Sequence, residues 1–232
     1  MFDCGQPIHC FDMDKMDTEI IVREAKEGEE ITTSLNDYLW HGRDIKDTAH
    51  DVTPNLGGDF KGRLFLIPSS IKPGEITRVL REGYDAQKLT IGLRGLVDDL
   101  RLDVLLIDTH PGLNEETLLS LVISHVLLVV MRPDKQDYEG TGITVKVAQG
   151  LQVPKLMLVV NKVPPQLDPN AVKSRVERAY GCDVASVLPH RDEMMTLASE
   201  GIFSLRYPDH PMTALYRQVA DRVLGAKPAQ PA

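Results

Sequence analysis

The chain has 232 residues, 26 Lys+Arg against 34 Asp+Glu, and a formal net charge of −8. That length suits one α/β domain with a sizeable core, and 42% hydrophobic with 26% charged residues excludes wholesale disorder. The acidic balance argues against broad binding to nucleic acid or anionic lipid, since both reward positive charge. The longest apolar stretch, Leu121 to Met131, is interrupted by His125 and is too short to span a bilayer. Met1 to Phe11 has no basic flank and no apolar core, so no signal peptide is expected. Cys4, Cys10 and Cys182 cannot form a disulfide framework, which points to a reducing, cytoplasmic location.

In chain order, Phe2 to Asp17 is rich in Asp, Cys and Met, and Arg23 to Glu30 is charged. Ser34 then caps a short helix running to Trp40. From Arg63 onward, continuous apolar runs alternate with helical patterns. The runs are Leu64–Ile67, Val104–Ile107, Val126–Met131, Leu156–Val160 and Val184–Leu188. Runs of this length and composition suit strands buried on both faces. Between them, Leu89, Leu93, Leu96, Val97 and Leu100 share a helical face. Asn114 can cap a helix to about Ser124, a further helix covers Glu139–Gln149, and Asp168-Pro169 opens one that Gly181 closes. The last helix carries Met212, Leu215, Val219 and Val223 on one face and is expected to dock on the core. The alternation predicts a doubly wound α/β fold: a mostly parallel sheet with helices on both faces. Residues 1–225 read as one domain and 226–232 as a disordered tail.

Ligands of such sheets bind beyond the carboxyl ends of the strands, so the residues after each run carry the interest. The second run closes with Asp108-Thr-His-Pro-Gly112. A carboxylate at the end of a buried strand is the Walker B arrangement, suited to a Mg²⁺-bound water, and Gly112 can offer an N–H to a terminal phosphate. The same string fits an Asp that caps the next helix. The fourth run ends in Asn161-Lys162. A carboxamide matches the N6/N7 edge of adenine, and a polar turn explains it equally. The fifth ends in Pro189-His-Arg-Asp192, followed by Leu197-Ala-Ser-Glu-Gly201.

Taken together and in this order, Asp108-Thr-His-Pro-Gly112, Val160-Asn-Lys162 and the Leu188-Pro to Gly201 segment resemble the MinD/ParA group of P-loop ATPases, over roughly 60–225. The resemblance implies a P-loop NTPase-like fold and an ATPase switch acting in cell division, chromosome or plasmid partitioning, or the positioning of another cellular machine. ATP and Mg²⁺ would be its cofactors and an ATP-bound homodimer its working state. By resemblance, Asp108 holds Mg²⁺ through water and Gly112 contacts the γ-phosphate, the two catalytic positions. Asn161, Lys162, Pro189 and Asp192 would bind the nucleotide. Neither sequence-specific nucleic-acid binding nor an integral membrane segment is expected.

One part of the family pattern is missing. The Gly-rich loop ending Gly-Lys-Ser/Thr cradles the phosphates in these ATPases, and this chain contains no Gly-Lys dipeptide. Gly57-Gly-Asp-Phe-Lys61-Gly62 has the wrong order and no following hydroxyl, and reads as a turn. Phe2 to His9 looks like the end of the family's second strand and the loop after it. On that reading the first strand and the phosphate loop lie upstream of Met1, the fold is N-terminally incomplete, and ATPase activity is absent from the chain as given. The alternative is a nucleotide-independent interaction domain that kept the fold.

Other patterns are weaker. Cys4, His9 and Cys10 lack a fourth ligand at finger spacing. Asp12, Asp14 and Asp17 depart from a Ca²⁺ loop at its glycine and its closing glutamate. Arg132-Pro-Asp134-Lys-Gln-Asp137 reads as a loop near nucleotide or dimer partner, or as a solvated strand exit.

Overall fold

A computed structural model describes residues 8–9, 33–57, 62–70, 81–109, 115–197 and 201–225, with the single positions 74, 78 and 113. The chain divides into two units, residues 1–119 with 199–202, and residues 120–198 with 203–232.

In the second unit the three C-terminal apolar runs form one parallel sheet. Its strands are β4 (Val126–Met131), β5 (Lys155–Val163) and β6 (Asp183–Pro189), in the order β4-β5-β6. β5 is central. Leu158 and Val160 pack on one face with Val145 of helix α4 (Lys135–Gly150) and Val172 and Val176 of helix α5 (Pro169–Tyr180). Met157 and Val159 pack on the other face with Leu197 of α6 (Asp192–Leu197), Phe203 of α7 (Phe203–Arg206), and Met212 and Val219 of α8 (Pro211–Leu224). All four β5 side chains are at most 1% exposed, and each contributes about 1.5–3 kcal/mol by burial. This is the doubly wound arrangement that the sequence predicts. The C-terminal helix docks on the sheet, with Met212 and Val219 buried.

Local signals account for the helix ends. Asp168 accepts hydrogen bonds from the Asn170 and Ala171 amides, Pro169 follows it, and Gly181 closes α5 at φ 66°. α4 begins earlier than its apolar pattern suggests, because Asp134 caps it through the Asp137 amide at 3.0 Å.

The first unit has a small antiparallel sheet. β3 (Phe65–Ile67) lies between β1 (Ile8–His9) and β2 (His50–Asp51). Phe65, Leu66 and Ile67 are buried as expected and Leu64 is half-buried, and the pairing is antiparallel rather than parallel. Side chains set that pairing. Arg63 forms an ion pair with Asp51 at 2.8 Å, and the Leu64 amide donates to Thr53 Oγ1 at 2.8 Å. Ser34 opens helix α1 (Leu35–His41), with the Asp37 carboxylate accepting from the Ser34 amide at 2.7 Å and its hydroxyl at 2.9 Å. Helix α2 (Ala86–Leu100) buries Leu89, Leu93 and Leu96. A further helix, α3 (Glu115–Ile123), follows the candidate Asp108 segment.

Val104–Ile107 differs from its expectation. It is half-buried and makes no strand ladder among the described residues. A strand requires a neighbour's amides and carbonyls, and an apolar run specifies burial without specifying that neighbour. Gly112, His110 and the Cys4–Asp17 region, apart from the backbone of Ile8–His9, lie outside the described residues. Of the candidate turn at 57–62, Gly57 is described and ends a 3₁₀ turn at φ 69°. No helix among the described residues is long and apolar enough to cross a membrane.

Candidate functional site

The carboxyl ends of β4, β5 and β6 bring most of the sequence-derived candidates together within the second unit. The end of β5 is irregular in an informative way. Val160 pairs with Val187, and the next pair is Val163 with Pro189, so the register shifts between them. Asn161 and Lys162 occupy that bulge. Lys162 takes φ 52°, a left-handed conformation for a non-glycine residue, which costs roughly 1–2 kcal/mol. Its amide donates to Asn161 Oδ1 at 2.8 Å. The carboxamide is thus held by its own neighbour. Its two N–H donors and second oxygen lone pair keep their bonding capacity. Bulges re-aim side chains and gather at functional sites.

Pro189 closes the arrangement from β6, and the His190 amide donates to the Val163 carbonyl at 2.8 Å. Asn161, Lys162 and Pro189 are therefore brought together at two adjacent strand ends. Asp192 opens α6 and is almost fully exposed, facing His190 Nε2 at 3.3 Å. At the end of β4, the Arg132 amide donates to Asp137 at 2.7 Å, and its guanidinium bridges Asp137 and Asp134. The Arg132 hydrogen bond holds the Asp137 carboxyl below the usual carboxylate range. This loop is a salt-bridged strand exit and helix cap.

Asp108 lies in the other unit, half-buried directly after the Val104–Ile107 run. Among the described residues no group of three or more His, Cys, Asp or Glu can hold a metal ion. The Asn161 carboxamide, beside the loop that Pro189 opens, carries both a donor and an acceptor, and the sequence contains no Gly-Lys dipeptide of the kind that ends a phosphate-cradling loop.

Solved structures share this architecture. The cell division ATPase MinD of Pyrococcus furiosus matches with a TM-score of 0.69 and 16% identity, covering 97% of this chain and 84% of that one. MinD of Pyrococcus horikoshii, solved with Mg-ADP, gives 0.67 at 14% identity over 96% and 80%. A ParA family ATPase of Chlorobium tepidum gives 0.61 at 15% over 90% and 80%. The chain has the MinD/ParA-type ATPase fold. An uncharacterized ATP-binding protein of Methanocaldococcus jannaschii is 24% identical over 224 residues, 96% of this chain and 78% of that protein. The N-terminus also shows a short second similarity. Residues 1–43 match the B3/4 domain family. A Bifidobacterium longum phenylalanine–tRNA ligase beta subunit is 42% identical over 55 residues, 24% of this chain and 6% of that protein. Composition and periodicity gave no sign of it.

Proposed function

We propose that this chain is a nucleotide-binding domain of the MinD/ParA switch type. It keeps the adenine end of an ATP site and lacks its own phosphate-binding loop. Asn161 reads the base edge, Pro189 packs against it, and Lys162 holds the carboxamide through its amide and lines the site. Asp192 stands at the rim. Asp108 and Gly112 belong to the other unit and carry, by resemblance, the family's metal-water and γ-phosphate roles. The observation that carries this reading is the bulge at Asn161–Lys162, set at the carboxyl end of a parallel sheet in a MinD/ParA-type fold. A structural neighbour that is a cell division ATPase, another solved with Mg-ADP, and an ATP-binding relative support an ATP switch in cell division, partitioning or positioning. In such a switch ATP closes a homodimer and hydrolysis opens it. Because phosphate contacts supply most nucleotide affinity, this chain alone binds Mg-ATP with a Kd of about 1 mM or weaker, about −4 kcal/mol. It does not turn ATP over. Calorimetry with Mg-ATP tests the proposal, and sub-micromolar binding would overturn it by showing that another element grips the phosphates.

A further inference from the structure

The helix that ends the second unit begins on a histidine. α8 follows His210, whose Nδ1 accepts a hydrogen bond from the Met212 amide at 3.1 Å. Pro211, at the start of the helix, has no N–H, so the Met212 amide is the first donor that α8 must satisfy. Met212 is 2% exposed and packs with Leu188, Phe203 and Val219, and a donor left unpaired in such a place is costly. His210 is therefore the cap of the helix, at a position where Ser, Thr, Asn or Asp is usual.

The surrounding chain holds the ring in this task. The His210 amide donates to the Tyr207 carbonyl at 3.1 Å, and Thr213 Oγ1 donates to the same carbonyl at 2.7 Å. The imidazole stands at 87° to the buried Phe203 ring, with centroids 5.1 Å apart. The titratable and charged groups around it are the Tyr207 phenol, whose ring centroid lies 6.5 Å away, Arg206 at the end of α7, and Asp209 beside it in the chain, all three exposed. Among the described residues no carboxylate forms an ion pair with the His210 ring.

We propose that His210 is a pH-sensitive latch on the C-terminal helix, closed while its ring is neutral. A neutral imidazole has one N–H and one acceptor nitrogen, so accepting through Nδ1 fixes the proton on Nε2. The imidazolium carries a proton on both nitrogens and accepts nothing. A proton taken from solvent by Nδ1 thus replaces the acceptor with a donor that faces the Met212 N–H. It also sets a positive charge at the positive end of the helix dipole. Both effects act in one direction. The latch holds above the range in which histidines take up protons and opens as pH falls through it, between about pH 8 and 5. Arg222 and Gln218 tie α8 farther along to the Val184 and Ala185 carbonyls, so opening starts at Met212 and leaves the rest of the helix docked. The latch uses no nucleotide and stands independently of the nucleotide reading.

The test uses the full chain without nucleotide. Nitrogen resonances of the His210 ring at neutral pH should report the proton on Nε2. Hydrogen exchange of the Met212 amide, corrected for the intrinsic pH dependence of exchange, should accelerate about five- to tenfold from neutral pH to about pH 5, the size of a lost cap. His210→Asn supplies a cap that does not titrate, so Met212 should stay protected across that range. His210→Ala should exchange fast throughout it. Circular dichroism checks that both variants fold. A proton on Nδ1 at neutral pH overturns the proposal, and that readout needs no variant. So does Met212 protection that is unchanged by pH in the unaltered chain, or an acceleration that persists in His210→Asn.

Discussion

Gly92 sits where α2 passes closest to α1 and the 3₁₀ turn at Ile45–Thr48. A Cβ at this position would lie 2.5 Å from the Tyr38 hydroxyl, 2.6 Å from its Cζ, and 2.8 Å from Ile45 Cδ1. Tyr38 has little freedom to yield. Its hydroxyl donates to the Lys88 carbonyl at 2.7 Å, and the Lys88 ammonium lies 4.9 Å from its ring centroid while donating to the Leu39 carbonyl. Gly92→Ala gains about 1 kcal/mol of helix propensity. It loses about 1–3 kcal/mol to overpacking and about 1 kcal/mol with the displaced tyrosine hydrogen bond. The expected result is a net destabilisation of roughly 1–3 kcal/mol. Gly95, on the same helix, has open space around its Cβ position, and Gly95→Ala should stabilise by up to about 1 kcal/mol. Urea unfolding of both variants gives the comparison. If Gly92→Ala matched Gly95→Ala, the close approach of α1 to α2 would be wrong.

The Ser186 hydroxyl is buried without a partner, so Ser186→Ala should leave stability unchanged or raise it, and a loss above about 1 kcal/mol in urea unfolding would contradict this. Lys162→Gly should relieve the left-handed conformation at φ 52° and gain up to about 1 kcal/mol in the same assay, offset in part by glycine's chain entropy. A loss of stability there would mean that the bulge is held by the lysine side chain. Burial pushes the Tyr180 hydroxyl up to about 12, with neighbouring Tyr138, Cys182 and Asp137 adding to the shift. Its folded value thus exceeds the ordinary value near 10, so its contribution is complete below pH ~10 and is lost as pH rises from ~10 through ~12. Ultraviolet titration should show a late-ionising tyrosine that disappears in Tyr180→Phe. A Tyr180→Phe curve that retained the late step would reassign it.

The helices and the central strand were legible because their determinants are local. Asp168-Pro169 and Gly181 are a cap, a first-turn proline and a left-handed terminator within thirteen residues, and the structure uses each in that role. Asp134 offered the same kind of signal, but the helix after β4 was read from its apolar positions and so began late, at Glu139. Strand partners depend on residues distant in sequence. Leu64–Ile67 announced burial and left open whether Asp51 or a parallel neighbour would meet it. Val104–Ile107 announced a strand without its neighbour. At the site, Asn161, Lys162 and Pro189 were legible as strand-end residues, and the bulge that gathers them was not, because a register shift is a relation between two strands.

The central claim is an adenine site without a phosphate grip. The most direct test compares adenosine with Mg-ATP on the intact chain, following the Asn161 side-chain amide and the Lys162 backbone amide by nuclear magnetic resonance. The account predicts that both ligands shift these two signals and bind within about tenfold of each other, a difference of about 1.4 kcal/mol, because the phosphates gain little. Mg-ATP binding a hundredfold or more tighter than adenosine, or an adenosine titration that leaves both signals unmoved, would contradict it.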